Sequence, residues 1–451
     1  VIKSVHITNY YHKNSGGVST SYNKLLEAAE RNERFVRLIV PAENESVEEV
    51  NEFAKIYYVA APSSPLFDKR YRVMMPQHYL FTDTSIRKIL LDEMPDMIEV
   101  YDNSFLTYLA GMIRMNYFKK LGRPMLVYYT GERLDTIIKS FVVGGRLGKW
   151  FSQKAVGNFF LPMFDFYIAN SPFVAEELFE AYQKQHNPNR FDSIFNACWR
   201  FFKASKIPFQ ERLAIIPRGV NTEFFNPNRQ SEEFRQKIRQ DAKIPANSIV
   251  LLSSTRISPE KNIQFLPEIM EILSKNQKYD FRLLVAGAGP KEDWLREETA
   301  RKFPNKIVLI GHLDKENLAN YYANADVFVH PNPREPFGNV VQEAMASGVP
   351  LVACNSGGVL ATANVENAWL NEPTAEKFAE AILQAVENTQ LREEKTSKAL
   401  ATARNNTQEK ATDSLFEAYD RMFADFQARK ELFTYLDKPK DFDFVKLLEN
   451  V

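Results

Sequence analysis

Short runs of strand-forming residues alternate with amphipathic stretches along most of the chain. In the first half the runs are SVHIT (4–8), FVRLIV (35–40), KIYYVA (55–60), MIEVYD (97–102), MLVYYT (125–130) and DFYIAN (165–170). Each is short and rich in β-branched or aromatic residues, as buried strands are. Stretches 19–31, 105–120 and 172–182 place apolar residues at helical spacing. The second half repeats the grammar with LAIIP (213–217), IVLLSST (249–255), FRLLVAG (281–287), KIVLIG (306–311), ADVFVH (325–330) and PLVAC (350–354). Helices are predicted between these strands over 262–275, 291–302, 315–323 and 339–347, then over 374–388, 391–404 and 408–424.

This alternation predicts an α/β chain with parallel sheets. The pattern restarts after KASKIPFQERL, which predicts two doubly wound domains, 1–208 and 209–407. Residues 408–451 are expected to form a helix and tail returning to the first domain. In such folds ligands bind outside the carboxyl ends of the strands, here in a cleft between two facing domains.

Composition narrows the function classes. The chain has 451 residues, 45% hydrophobic and 25% charged, enough for more than one core. Lys plus Arg and Asp plus Glu number 57 each, so no global basic charge favours nucleic acid as a partner. The two cysteines, Cys198 and Cys354, have no metal-ligand spacing and suit a reducing compartment. No apolar run has the length of a membrane span, and the opening VIKSVHITNYY reads as a core strand rather than a signal peptide. A cytoplasmic location is expected.

Three stretches carry candidate chemistry. STRISPEKN sets Arg256 and Lys261 between a strand end and a helix entrance. A planar guanidinium and a mobile ammonium suit two adjacent phosphates, although the spacing alone also fits two solvated cations. In HPNPREPFGNVVQEAMASG, a proline-rich turn presents Glu335, and Gly338 permits close backbone approach to a ligand. The helix from Asn339 would direct free N–H groups at an anion. Glu335 could accept from neighbouring sugar hydroxyls and Glu343 from a ribose diol; a solvated turn and a surface helix acid are the plain alternatives. Isolated carboxylates are costly among so many small and apolar neighbours. Near the start, Gly16 and Gly17 lie between a strand and a helix without the third glycine of a dinucleotide fingerprint, and GAGP (287–290) reads as a turn.

Taken in order, GGV (16–18), IPRGVNTEFFNP (216–227), STRISPEKN (254–262), GHL (311–313) and REPFGNVVQEAMASGVPLVACNSGG (334–358) resemble the retaining glycosyltransferases of family four. The resemblance spans most of the chain and is strongest in the second domain. It implies the GT-B fold and transfer of a hexose from a nucleoside-diphosphate sugar, UDP ahead of GDP, to a glycan or lipid-linked acceptor. It also implies that Arg256 and Lys261 hold the diphosphate, and that Glu335 holds the sugar with the amides of Phe337, Gly338 and Asn339. Glu343 would take the ribose, the backbone near His312 the base, and Gly16 and Gly17 the phosphates from the first domain. Neither a metal nor a cofactor is implied.

Where many such enzymes have a first-domain histidine, this chain reads LVYYTGERLD, with Tyr129, Thr130, Gly131 and Glu132; backbone or Glu132 could replace the histidine, and a plain helix-start turn is the alternative for GERLD. A nucleotide-sugar epimerase and a non-catalytic scaffold are alternatives on the same fold. A phosphorylase would need a pyridoxal lysine, for which no place is evident. Segments 139–164 and 189–206 mix cations with aromatic residues, which suits peripheral membrane contact, core-facing helix sides or a dimer contact alike.

Overall fold

The structure, a computed structural model, describes residues 1–12, 17–64, 71–141, 145–186, 198–199, 201–205 and 207–434. The chain divides into two compact units, one holding Val1–Pro217 and the chain after Lys410, the other Arg218–Lys410.

Among the described residues, the first unit is built on eight strands: β1 (Ser4–Thr8), β2 (Val36–Ala42), β3 (Ser46–Glu49), β4 (Ala54–Ala60), β5 (Met97–Tyr101), β6 (Met125–Thr130), β7 (Phe166–Ala169) and β8 (Leu213–Ile215). Their order is β3-β4-β2-β1-β5-β6-β7-β8, parallel except for the antiparallel edge strand β3. Residues on both faces of β1, β5 and β6 are buried, which is why these strands read as near-continuous apolar runs. The short polar β3, SVEE, has no such pattern and was not expected.

LAIIP was expected to open the second half. Instead β8 pairs in parallel with β7, completing the first sheet, and the break follows Pro217. The pattern restarts at 213–217 because a last strand and a first strand have the same composition; only pairing separates them.

The second unit has six strands: β9 (Ile249–Ser254), β10 (Phe281–Ala286), β11 (Ile307–Gly311), β12 (Val327–His330), β13 (Leu351–Cys354) and β14 (Trp369–Asn371). The order is β11-β10-β9-β12-β13-β14, every pair parallel. The sheet therefore grows one way from β9 to β11, then the chain crosses to the other side of β9 for β12. Such a switch point leaves a crevice at the carboxyl edge, here between β9 and β12.

The chain enters and leaves this unit side by side. Val220 N–H donates to Asn406 O and Gln408 N–H to Val220 O, both at 3.0 Å. A Cβ on Gly219 would lie 2.1 Å from Thr407 O, so a side chain there would part the two segments. The helix Gln408–Ala428 then packs on the first sheet, burying Phe416, Tyr419, Met422 and Phe426, as expected of a returning C-terminal helix.

Candidate functional site at the β9/β12 switch point

Arg256 and Lys261 follow β9, and Glu335 follows β12, so the three predicted residues flank the switch point. Lys261 ends a 3-10 turn, Pro259–Lys261, rather than opening a helix; the helix begins later, at Phe265–Leu273. Between them Asn262 adopts the left-handed conformation (φ 55°), which asparagine tolerates, and its Nδ2 donates to Pro331 O at 3.0 Å. That bond ties the β9 loop to the β12 loop.

Lys261 Nζ lies 3.0 Å from both Oε1 and Oε2 of Glu335. Asn332 Nδ2 donates to Oε2 at 2.9 Å, and His330 Nε2 stands 3.4 Å from the same oxygen. Glu335 is only 8% exposed. Burial raises its pKa, but the Lys261 charge and the interactions with His330 and Lys261 outweigh that effect and hold the carboxyl below the usual carboxylate range. The carboxylate is thus buried, ionised and ordered. Arg256 sits exposed on the same β9 loop.

Two glycine loops support these residues from behind. Gly357 has φ +81°, and a Cβ there would approach Pro333 O and Glu335 O at 2.9 and 3.1 Å. Gly358 is tighter: its Cβ would lie 1.8 Å from Pro336 O, and its N–H donates to Glu335 O at 2.6 Å. On the other side GAGP is more than a turn. Cβ atoms on Gly287 and Gly289 would meet Thr255 O at 1.9 Å and Ile257 O at 2.3 Å, so this loop buttresses the Arg256 turn.

The helix Asn339–Ser347 starts from Gly338 at φ +92°, with no side-chain cap on its first amides. These donors are a favourable place for negative charge. Phe337 is buried and Asn339 half-buried. Four residues into the helix, Glu343 accepts a hydrogen bond from Tyr322 OH at 3.1 Å. Burial pushes its pKa up to about 7, against the opposing effects of Tyr322 and Lys315. His312 is exposed just beyond β11, on the same carboxyl edge.

Other expectations resolve differently. Gly17 begins the first unit's helix Gly17–Arg31, whereas Gly16 lies outside the described residues. In LVYYTGERLD, Arg133 and Asp135 are locked in a buried ion pair at 3.0 Å, and the Glu177 carboxylate receives the N–H groups of Leu134 and Asp135. That stretch is a helix start, and Glu132 is its exposed side chain. Lys154 is buried and Lys149 pairs with Glu180 at 2.9 Å, while Leu147, Trp150 and Phe151 are 71, 48 and 59% exposed. Phe191, Phe195, Arg190, Arg200 and Lys206 lie outside the described residues.

Asn332, His330 and Tyr322 were not singled out from the sequence. An asparagine three positions before Glu335 was the available signal; His330 and Tyr322 look like ordinary strand and helix residues. Among the described residues, no group of three or more His, Cys, Asp or Glu is placed to hold a metal ion.

Comparison with known proteins gives these features a setting. Residues 234–402 match the family model of glycosyl transferases group 1. The chain is 36% identical over 148 residues to the sulfoquinovosyl transferase of Arabidopsis thaliana, covering 33% of this chain and 27% of that protein. It is 30% identical over 173 residues to a GDP-mannose-dependent alpha-mannosyltransferase of Corynebacterium glutamicum, covering 37% and 38%. An alpha-monoglucosyldiacylglycerol synthase of Streptococcus pneumoniae is 31% identical over 150 residues, covering 33% of each. The match thus spans about a quarter to two fifths of these relatives' lengths. Among solved structures, Anabaena HepE in complex with UDP and glucose has a TM-score of 0.62 at 18% identity, covering 93% of this chain and all of that one. A sucrose-phosphate synthase of Thermosynechococcus elongatus has a TM-score of 0.65 at 18% identity, covering 94% and 100%. Residues 234–402 are thus a stretch of the glycosyl transferases group 1 type, carried on a chain with the GT-B fold.

Proposed function

We propose that the protein is a retaining, metal-independent glycosyltransferase. It would move a hexose from a nucleoside-diphosphate sugar to a hydroxyl of a glycan or lipid-linked acceptor. The observation that carries this reading is the Lys261–Glu335 pair at the switch point, beside a helix start whose amides lack a side-chain cap. Arg256, Lys261 and the helix amides would balance charge on the departing diphosphate, where a positioned donor in a buried site acts most strongly. Glu335 would order the sugar hydroxyls and Glu343 the ribose. Transfer would run as a same-face displacement, the leaving phosphate oxygen taking the acceptor's proton. The bond from the anomeric carbon to that oxygen breaks as the new glycosidic bond forms.

UDP is placed ahead of GDP as donor nucleotide. A structural neighbour binds UDP, while a relative is named for GDP-mannose, so calorimetry with both nucleotides is the deciding test. Binding of either, followed by slow release of sugar from UDP-glucose or GDP-mannose, is the expected result. Absence of binding to both would favour a non-catalytic scaffold.

A peripheral membrane contact belongs to the same reading. Leu147, Trp150 and Phe151 stand at i, i+3 and i+4 of the helix Gly145–Ala155, forming an exposed apolar ridge, and Lys139 of the preceding helix Leu134–Phe141 is also exposed. Two of the segment's cations are buried or paired, so the ridge rather than net charge would supply the attachment. Among the described residues no helix is long and apolar enough to cross a membrane.

A further inference from the structure

The two oxygens of the Glu335 carboxylate are held differently. Among the described residues, Oε1 is met by Lys261 alone, whereas Oε2 is met by Lys261, by Asn332 at 2.9 Å and by His330 Nε2 at 3.4 Å. Asn332 and His330 are each only 2% exposed. The His330 ring stacks on Phe328 with an interplanar angle of 12°, which sets the direction of Nε2. Among the described residues, Nε2 itself has no well-formed hydrogen bond. A buried ring nitrogen in that state is rare and costly, and the nearby carboxylate oxygen favours the tautomer whose proton points at it.

Lys261 is the most exposed member of the cluster. Its side chain is 24% exposed, against 11% for the side chain of Glu335 alone, and an ammonium on a flexible stem can serve two anions in turn. Under the proposed function a diphosphate would compete for it. A buried carboxylate that lost the ammonium in contact with it would be strongly destabilised unless other donors remained.

We infer that His330 and Asn332 are positioning residues that anchor Glu335 through Oε2, leaving Oε1 for a donor-sugar hydroxyl when Lys261 turns to the diphosphate. The inference rests on the proposed function and deepens it. It divides the cluster into a nucleotide-side residue, Lys261, and two residues that affect only the sugar half of the donor.

The test compares His330→Phe, which keeps an aromatic ring against Phe328 but removes the donor, with His330→Gln and Asn332→Ala. Calorimetry would measure UDP and GDP affinity, and hydrolysis of UDP-glucose and GDP-mannose would report on the sugar half. In His330→Phe, nucleotide affinity should stay within about twofold, while kcat/KM for donor hydrolysis falls about 10- to 100-fold, as for loss of a donor to a charged group. Asn332→Ala should give the same split, and His330→Gln should recover part of the loss. Equal losses in nucleotide binding and hydrolysis, or unchanged hydrolysis, would overturn the inference. Failure of the unaltered protein to bind either nucleotide would instead overturn the function on which it rests.

Discussion

At the residue scale, the two acids of the site shift in opposite directions: at Glu335 the partners outweigh burial, whereas at Glu343 burial outweighs the partners. Glu335 has a cation in contact and stays ionised; Glu343 has a phenol and a more remote Lys315, and titrates near 7. Under the proposed function a ribose diol would donate to the ionised form, so nucleotide affinity should weaken as pH falls below about 7, up to tenfold between pH 8 and pH 6. Glu343→Gln should retain only the dependence due to the nucleotide's own phosphate, and titration calorimetry across that range measures the difference. The same shift affects stability. The folded value lies above the ordinary 4.5, so the folded chain binds this proton more tightly than the unfolded chain. Stability is therefore lost as pH rises through this interval, and Glu343→Gln should raise Tm more at pH 8 than at pH 5. For the cationic pair, Arg256→Ala and Lys261→Ala should each lower turnover by about 10²–10³-fold, as does removing one donor from developing negative charge. Wild-type rates in both variants would remove the diphosphate clamp from the mechanism.

At the element scale, loops hold the site and glycines hold the loops. Gly358 lies so close to Pro336 O that a methyl group requires the 331–338 loop to move. Gly358→Ala should therefore cost about 1–3 kcal/mol, as overpacking does, and misplace Glu335. Thermal unfolding and donor hydrolysis together check this; a variant with normal Tm and normal activity would show that the loop yields freely. The helix Gly145–Ala155 poses a different element-scale question, because it turns Leu147, Trp150 and Phe151 outward while burying Lys154. Flotation with anionic vesicles should recover the protein with the lipid. A triple serine variant at those three positions should remain at the bottom of the gradient. If both float alike, the ridge has no part in attachment.

At the scale of the whole molecule, the last described helix is part of the first unit's core. Tyr419 OH donates to Glu99, a buried carboxylate that also receives Tyr22 OH and contacts His6 Nδ1, both at 2.9 Å. Arg34 pairs with Asp420, and Arg31 with Asp413 at 2.6 Å, along the rim of the same contact. Tyr419→Phe removes one donor from a carboxylate that is 1% exposed, and should destabilise the first unit by about 1–3 kcal/mol. Glu343 and Lys261 belong to the other unit, so nucleotide affinity should be unchanged. A lower Tm with preserved calorimetry is the expected result; a change in nucleotide affinity would contradict the separation.

Much of this was legible in the amino-acid order, because it is local. Strand and helix periodicity, the helix start at Asn339, and the chemistry of Arg256, Lys261, Glu335 and Glu343 all reside within a few neighbouring positions. Local pattern could not assign LAIIP to the first sheet, since any core strand reads alike until its hydrogen bonds are known. Nor could it tell that Lys154 turns inward, or that GERLD is tied to Glu177. The sequence by itself determined which side chains stand at the strand ends and what chemistry they offer. Only the tertiary structure decided that β12 lies against β9, bringing Lys261 to Glu335 across 74 intervening steps of chain and setting His330 and Asn332 behind it. Strand order depends on how whole βα units pack, and no stretch of sequence short enough to be read as a pattern contains that information.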